Sequence, residues 1–398
     1  MVTTTVAAPG RPQAPPTAPG GAGAAAPEAG RADRPAGAPA RRTDGPRLRA
    51  LDGLRFAAAA GVLLYHFTAR WSTAWGEEPV ERFPVLGRVT MYFALAPELF
   101  FVISGFVILW SAWGRSVPGV VASRLARLLP AYWTALALTS FLLLALWRDG
   151  KQISVGEVAV NVTLLQEAFG VRHVDGVYWT LWTELRFYAL VVLLVAVGVT
   201  RRRVLAFATV WPLAGLATEV LGWELGSEVL IGRYAPLFAG GMLLYLIHRD
   251  GHARLPWLLV AMNVGLAVST VVPAQVRSLG RNTAFAPSAV VLGVLVVACF
   301  AAVALLTMTR LKHLDWRVLT TVGALTYPLY LVHEFWGWWV IHLLHDDVPT
   351  LVALGAAASA SLGLAWLVHH GVEKRVNPPM RRWIERRLRR GPRPSVAI

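Results

Sequence analysis

Residues 90–110 read TMYFALAPELFFVISGFVILW, 21 positions with a single ionisable side chain, Glu98. An apolar run longer than about 18 residues can cross the hydrocarbon core of a bilayer as one α-helix. The same pattern recurs along the chain. Segments at 50–69, 129–147, 177–199, 204–221, 229–248, 255–273, 287–309, 318–345 and 350–370 bring the expected number of spans to ten. The apolar stretch 153–168 is too short to span and reads as a re-entrant or interfacial piece. Of the 398 residues 56% are hydrophobic and 15% charged, and the mean hydropathy is +0.51; soluble domains carry about 25% charged residues. An ordinary soluble enzyme, a disordered protein and a secreted disulfide scaffold are all excluded, the last because Cys299 is the only cysteine. The expected fold class is an all-α integral membrane protein of about ten transmembrane helices.

The formal charge of +15 would suggest nucleic acid on a soluble protein. Here the basic residues occupy tails and short loops between apolar blocks, which is the pattern of membrane orientation and not of a nucleic-acid partner. Counted over loops and tails, 27 Lys and Arg fall on the side of the N-terminus and 8 on the other. An even number of helices then places both termini in the cytoplasm, with the protein multi-pass in the cell (inner or plasma) membrane. Residues 1–47 hold no Leu, Ile, Phe, Tyr or Trp and read as a disordered cytoplasmic tail rich in Pro, Ala, Gly and Arg. The membrane domain occupies 48–370, and 371–398 form a basic cytoplasmic tail. Its segment RRWIERRLRR, 381–390, reads either as a helix lying on anionic membrane lipid or as a plain topology determinant.

An ionisable side chain in the hydrocarbon region costs several kcal/mol unless it is paired or faces a cavity, so each is a candidate functional group. The first helix carries Asp52, Arg55 and His66. Arg55 and His66 are eleven residues apart, close to three turns, so they share a face and are separated by about 16 Å along the axis. An anion-binding group at one end and a titratable base at the other suit a long polyanionic donor threaded through the bundle. Glu98 and Glu184 are expected at the level of His66, where a carboxylate fixes a histidine's tautomer and stabilises its imidazolium. His333 and Glu334 fall near the middle of the ninth helix. For Glu98, Arg186, Glu219, Arg233 and Glu334 a buried ion pair that fixes helix packing explains the charge equally well. Before the third helix, in the loop running to 128, Arg124 and Arg127 are three apart and could fork onto phosphates, although anchoring by positive charge accounts for them as well. The sequence has no Walker A loop, no dinucleotide fingerprint after a strand and no Cys/His metal spacing, so no bound cofactor or metal is expected.

Taken together, these residues form an ordered set. Arg49-Ala-Leu-Asp-Gly-Leu-Arg55 followed by His66 resembles the signature of the acyltransferase 3 family of integral-membrane O-acyltransferases. Glu98-Leu-Phe-Phe-Val-Ile-Ser-Gly105, Arg124-x-x-Arg127 with Pro130 and Tyr132, Tyr178-Trp-Thr-Leu-Trp-Thr-Glu184 with Phe187-Tyr188, and Thr326-Tyr-Pro-Leu-Tyr-Leu-Val-His333 resemble four further motifs in the family's order. The resemblance covers roughly residues 48–370 and implies transfer of an acyl group from acyl-CoA, a co-substrate and not a bound cofactor, to a hydroxyl-bearing acceptor. That acceptor would be a sugar, glycolipid or glycosylated natural product. It implies His66 as general base and Glu184 as the residue that orients or charge-stabilises it. Arg55, Arg124 and Arg127 would bind the phosphates of coenzyme A from the cytoplasmic side. Asp52, Glu98, Ser104, Tyr188, Tyr330 and His333 would be supporting residues. Within the family, the stretches RLRALDGLRF, ELFFVISGFVILWSAWGR and VASRLARLLPAYW are similar to a branch that includes macrolide 3-O-acyltransferases. From the intramembrane charges alone, the alternative is a secondary transporter or flippase that uses its carboxylates and histidines as a proton relay.

Overall fold

In the computed structural model, residues 48–389 are described; the tail reading for 1–47 and the last nine residues lie outside them. Among the described residues the secondary structure is helical throughout, with no strand. The long helices are α1 (Arg49–Thr68), α2 (Ala96–Ala112), α3 (Val117–Phe141), α4 (Trp179–Val197), α5 (Arg201–Val220), α6 (Ala235–Asp250), α7 (Arg254–Asn282), α8 (Ala289–Met308), α9 (Arg317–Leu344), α10 (Thr350–Val368) and α11 (Lys374–Arg389). The protein is an all-α integral membrane protein. Eight helical stretches among the described residues are long and apolar enough to cross a membrane. They coincide with eight of the ten expected spans. The other two segments form α1 and α9, 20 and 28 residues long, whose apolar character is diluted by Asp52, Arg55 and His66 and by His333, Glu334 and His342.

The apolar faces follow that assignment. On α8, the most apolar of these spans, Val290, Val294 and Val297 are open to the surroundings, as on a lipid-facing helix. By contrast every residue of α6 from Ala235 to Ile247 is buried. This helix crosses α2 at two glycines: a Cβ on Gly105 would strike the carbonyl oxygen of Phe238, and one on Gly241 the carbonyl oxygen of Val102. Small residues at such a crossing let two backbones touch, which is how helices gain dispersion energy where lipid is as apolar as their side chains.

One local feature differs from the sequence reading. Arg124 and Arg127, expected in a loop, lie on α3, which starts at Val117 with a proline in its first turn. The apolar pattern marks only the part of a helix inside the hydrocarbon, and α3 begins twelve residues, about three turns, before the expected span. Pro97 sits in the first turn of α2, where a missing N–H costs no helical hydrogen bond, and a 3-10 turn over Met91–Leu95 leads the chain into it. The 153–168 stretch contains only a seven-residue helix, Val155–Asn161, closed by a Ser154/Glu157 capping box. The basic C-terminal helix α11 packs along α3; it buries Ile384 and leaves Trp383 exposed.

Candidate active site

Helix α1 packs along α9, and α2 and α3 both adjoin α4. Two cavities open between these helices. The first, about 320 Å³, is lined by Arg55 of α1, Ser104 of α2, Arg124 and Arg127 of α3, Glu184 and Tyr188 of α4 and Tyr330 of α9. Three guanidinium groups face one carboxylate there, so the chamber carries an excess of positive charge. Ser104 Oγ donates to Glu184 Oε1 at 3.2 Å, Arg124 donates to Ser111 Oγ, and the Arg124 guanidinium stands 6.0 Å from the Tyr188 ring centre. Asp52, nearly one turn before Arg55, packs against Gly323 of α9.

The second cavity, about 310 Å³, is lined by His66, Arg70, Glu98, Arg233, Gln275 and Glu334 among others. His66 is 6% exposed and Glu334 2%. The imidazole Nδ1 lies 3.5 Å from Glu334 Oε1, and Arg70 Nε lies 3.6 Å from the same oxygen. At 3.5 Å the His–Glu contact is longer than a formed hydrogen bond; contacts of this kind commonly tighten when substrate fills the site. The ring is fixed on its other sides. Trp338 stacks on it at 5.8 Å and donates its indole N–H to the His66 carbonyl at 2.9 Å, while His333 meets it edge-on at 4.9 Å. His333 Nδ1 lies 3.1 and 3.0 Å from the carbonyls of Leu329 and Tyr330, which assigns the proton to Nδ1. With Nδ1 of His66 turned to a carboxylate, Nε2 is the nitrogen left for a substrate.

Glu184, expected beside His66, is therefore in the arginine chamber, and the carboxylate beside His66 is Glu334. The physical reason is the neighbour relation: α1 lies against α9, while Leu181, Glu184 and Tyr188 share the face of α4 that lines the arginine chamber. Glu98 does line the histidine chamber, but its immediate partner is Gln275, whose Nε2 donates to Oε1 at 2.6 Å. Tyr330 donates to the Val177 carbonyl at 3.3 Å and sits 3.0 Å from Thr180 Oγ1. Arg70 and Gln275 were not anticipated as site residues, and Arg233, weighed equally as a packing ion pair, lines the histidine chamber. Arg70 follows the end of α1 at Thr68, so helical spacing from His66 does not place it.

Asp175 stands behind Glu334. It is fully buried; its Oδ1 accepts from the Val177 N–H at 3.1 Å, while Oδ2, like Glu334 Oε2, has no hydrogen-bond partner. A Cβ on the adjacent Gly176 would lie 2.9 Å from Glu334 Oε2, so only glycine lets the carboxylate approach this backbone. Burial, and then the neighbouring Glu334, push the Asp175 carboxyl well above the usual carboxylate range. The folded chain thus holds a proton that the unfolded chain releases above about pH 4, and stability falls as pH rises from there towards the native pKa. Asp175→Asn keeps the capping oxygen and supplies an N–H towards Glu334. In detergent, the melting temperature of wild type should drop more between pH 5 and pH 8 than that of the Asn variant; equal drops would show that no proton is held there.

The two chambers abut, since Pro97 and Tyr330 line both. The arrangement provides a cationic seat at one end of α1 and an imidazole beside a carboxylate at the other, in two chambers that share a wall. No curated protein and no solved structure gives a significant match to the chain. The model of the acyltransferase 3 family, described as an acyltransferase domain, matches residues 48–370. That match takes in both chambers and all five motifs, and the chain belongs to the acyltransferase 3 family.

Proposed function

We propose that this membrane acyltransferase moves an acyl group from acyl-CoA to a hydroxyl of a sugar-bearing acceptor, a glycolipid or a glycosylated natural product such as a macrolide. The observation that carries the reading is the junction of the two chambers at Pro97 and Tyr330. Arg55, Arg124 and Arg127 hold the phosphates of coenzyme A from the cytoplasmic side, since guanidinium groups are suited to bidentate phosphate contacts. Arg55 and His66 are about 16 Å apart along α1, and the pantetheine arm runs between them to bring the thioester to the imidazole. As the acceptor oxygen attacks the thioester carbonyl, its proton passes to His66 Nε2. The tetrahedral adduct collapses with cleavage of the C–S bond, and the imidazolium returns the proton to the departing thiolate. The products are an ester and the free thiol of coenzyme A.

The test is release of free thiol from acyl-CoA by the detergent-purified protein. Arg124→Ala and Arg127→Ala should each raise the KM for acyl-CoA by about tenfold or more, because each removes one charge-assisted phosphate contact. Turnover with an unaltered KM in both variants would move the donor elsewhere. Absence of thiol release from wild type, with glycans and macrolides supplied as acceptors, would sink the reading itself.

A further inference from the structure

A third cavity, about 290 Å³, adjoins the histidine chamber and shares with it the walls formed by Arg70, Gly176, Arg281, Asn282 and Glu334. Three cations from three separate parts of the chain converge on it: Arg70 just after α1, Lys151 between α3 and α4, and Arg281 in the last turn of α7. Its aromatic walls are Trp71, Trp147 and Trp338 with Phe335. Trp338 is the indole that stacks on His66, whereas Trp71 is 54% exposed, so the cavity runs from the indole packed on the imidazole towards the surface.

The cations keep unused hydrogen-bonding capacity. Lys151 Nζ donates to the carbonyls of His173 and Val174 at 2.7 and 3.4 Å, which leaves one of its three protons. Arg70 meets Glu334 through Nε and hydrogen-bonds the Tyr65 side chain, and the five N–H donors of a guanidinium leave some over. Arg281 is exposed and pairs with no carboxylate among the described residues. The one carboxylate in the cavity lining is Glu334, already held by His66 and Arg70, so the pocket has a surplus of positive charge. In the orientation favoured by the Lys/Arg distribution, these cations lie on the side where such residues are scarce, and topology therefore gives no reason for them to gather there.

We infer that this cavity seats the acceptor, and that the acceptor is anionic: a carboxylate- or phosphate-bearing sugar whose ring lies on the indoles and whose charged group meets Lys151 and Arg281, with a hydroxyl directed to His66. The inference rests on the proposed acyl transfer for the meaning of "acceptor", but the binding it describes is measurable without turnover. The probes are methyl glucuronoside and methyl glucoside, which differ in a carboxylate, titrated against detergent-purified full-length protein with tryptophan fluorescence as the readout. The glucuronoside should bind at least about tenfold more tightly, the worth of one charge-assisted contact. The Lys151→Gln/Arg281→Gln double variant should lose that preference, and Arg281→Lys, which retains the charge, should keep most of it.

Equal affinity for the two sugars in wild type, or a preference that survives the double variant, would overturn the assignment. Free coenzyme A is titrated in parallel: if the double variant loses coenzyme A affinity while wild type shows no sugar preference, the cations hold the donor's phosphates and the inference fails. Glucuronoside preference without thiol release from acyl-CoA would uphold the anionic seat and defeat the proposed chemistry. Thiol release without sugar preference would do the reverse.

Discussion

Replacing His66 by alanine should lower acyl transfer by about 10²–10⁴-fold, the usual contribution of a positioned general base, while coenzyme A still binds. The expectation follows from the separation of the two chambers. His66 lines the cavity that holds Glu334, whereas Arg55, Arg124 and Arg127 line the other; truncation at one end leaves the cationic seat intact. The substitution also removes a ring packed against Trp338 and His333, and the void will cost stability. Activity alone therefore does not separate a base from a packing residue. Rescue by added imidazole does: the small base fits the space left by the ring and restores proton abstraction, which refilling a merely structural hole would not. Wild-type turnover by His66→Ala, or loss of coenzyme A binding in a variant that melts like wild type, would remove His66 from its role.

The face shared by Arg55 and His66 was legible because it depends only on helical pitch, and α1 is a regular helix from Arg49 to Thr68. The long apolar segments were legible for a similar reason, since each is a local property of composition. What could not be read was which helices adjoin. Glu98, Glu184 and Glu334 are all carboxylates on spans, and the choice among them as partner of His66 depends on α1 lying along α9. Packing of that kind is decided by small-residue contacts such as Gly337 against Phe67, which leave no periodic trace in the sequence. The resemblance placed Glu184 in a motif with Tyr188, and the structure keeps those two together in the arginine chamber. The place beside His66 that was expected for Glu184 is occupied by Glu334, one position beyond the late Tyr/His motif. Asp175, Lys151 and Arg281 were invisible for a further reason: each belongs to a connection or a helix end, where position is set by the tertiary fold.

The chambers also explain why α1 and α9 are the least apolar of the long segments expected to span. A cost of several kcal/mol attaches to each unpaired charge in hydrocarbon, and the two helices reduce it by turning Arg55, His66 and Glu334 onto the cavities. The apolar faces that remain are carried by the outer helices, with α8 as the extreme case.

Glu334→Gln should lower kcat by about 10²–10⁴-fold with little change in the KM for acyl-CoA. The amide preserves shape but changes two relations at once. Glu334 Oε1 is the atom nearest both His66 Nδ1 and Arg70 Nε; without the negative charge, the imidazolium formed during transfer loses its stabilising partner and Arg70 loses its counter-ion. A side-chain amide can also present N–H to Nδ1, which would place the ring proton on Nε2, where the base must be free. Glu184→Gln is the matched comparison. That carboxylate accepts from Ser104 beside the arginines, so its loss should act on the KM for acyl-CoA more than on kcat. If the two substitutions exchanged these effects, with Glu184→Gln abolishing turnover and Glu334→Gln altering donor affinity, the pairing of His66 with α9 would be irrelevant to the reaction. If they behave as expected, the carboxylate that serves the base is chosen by which helix lies against α1, and the acidic residue of the fourth-span motif belongs to the donor.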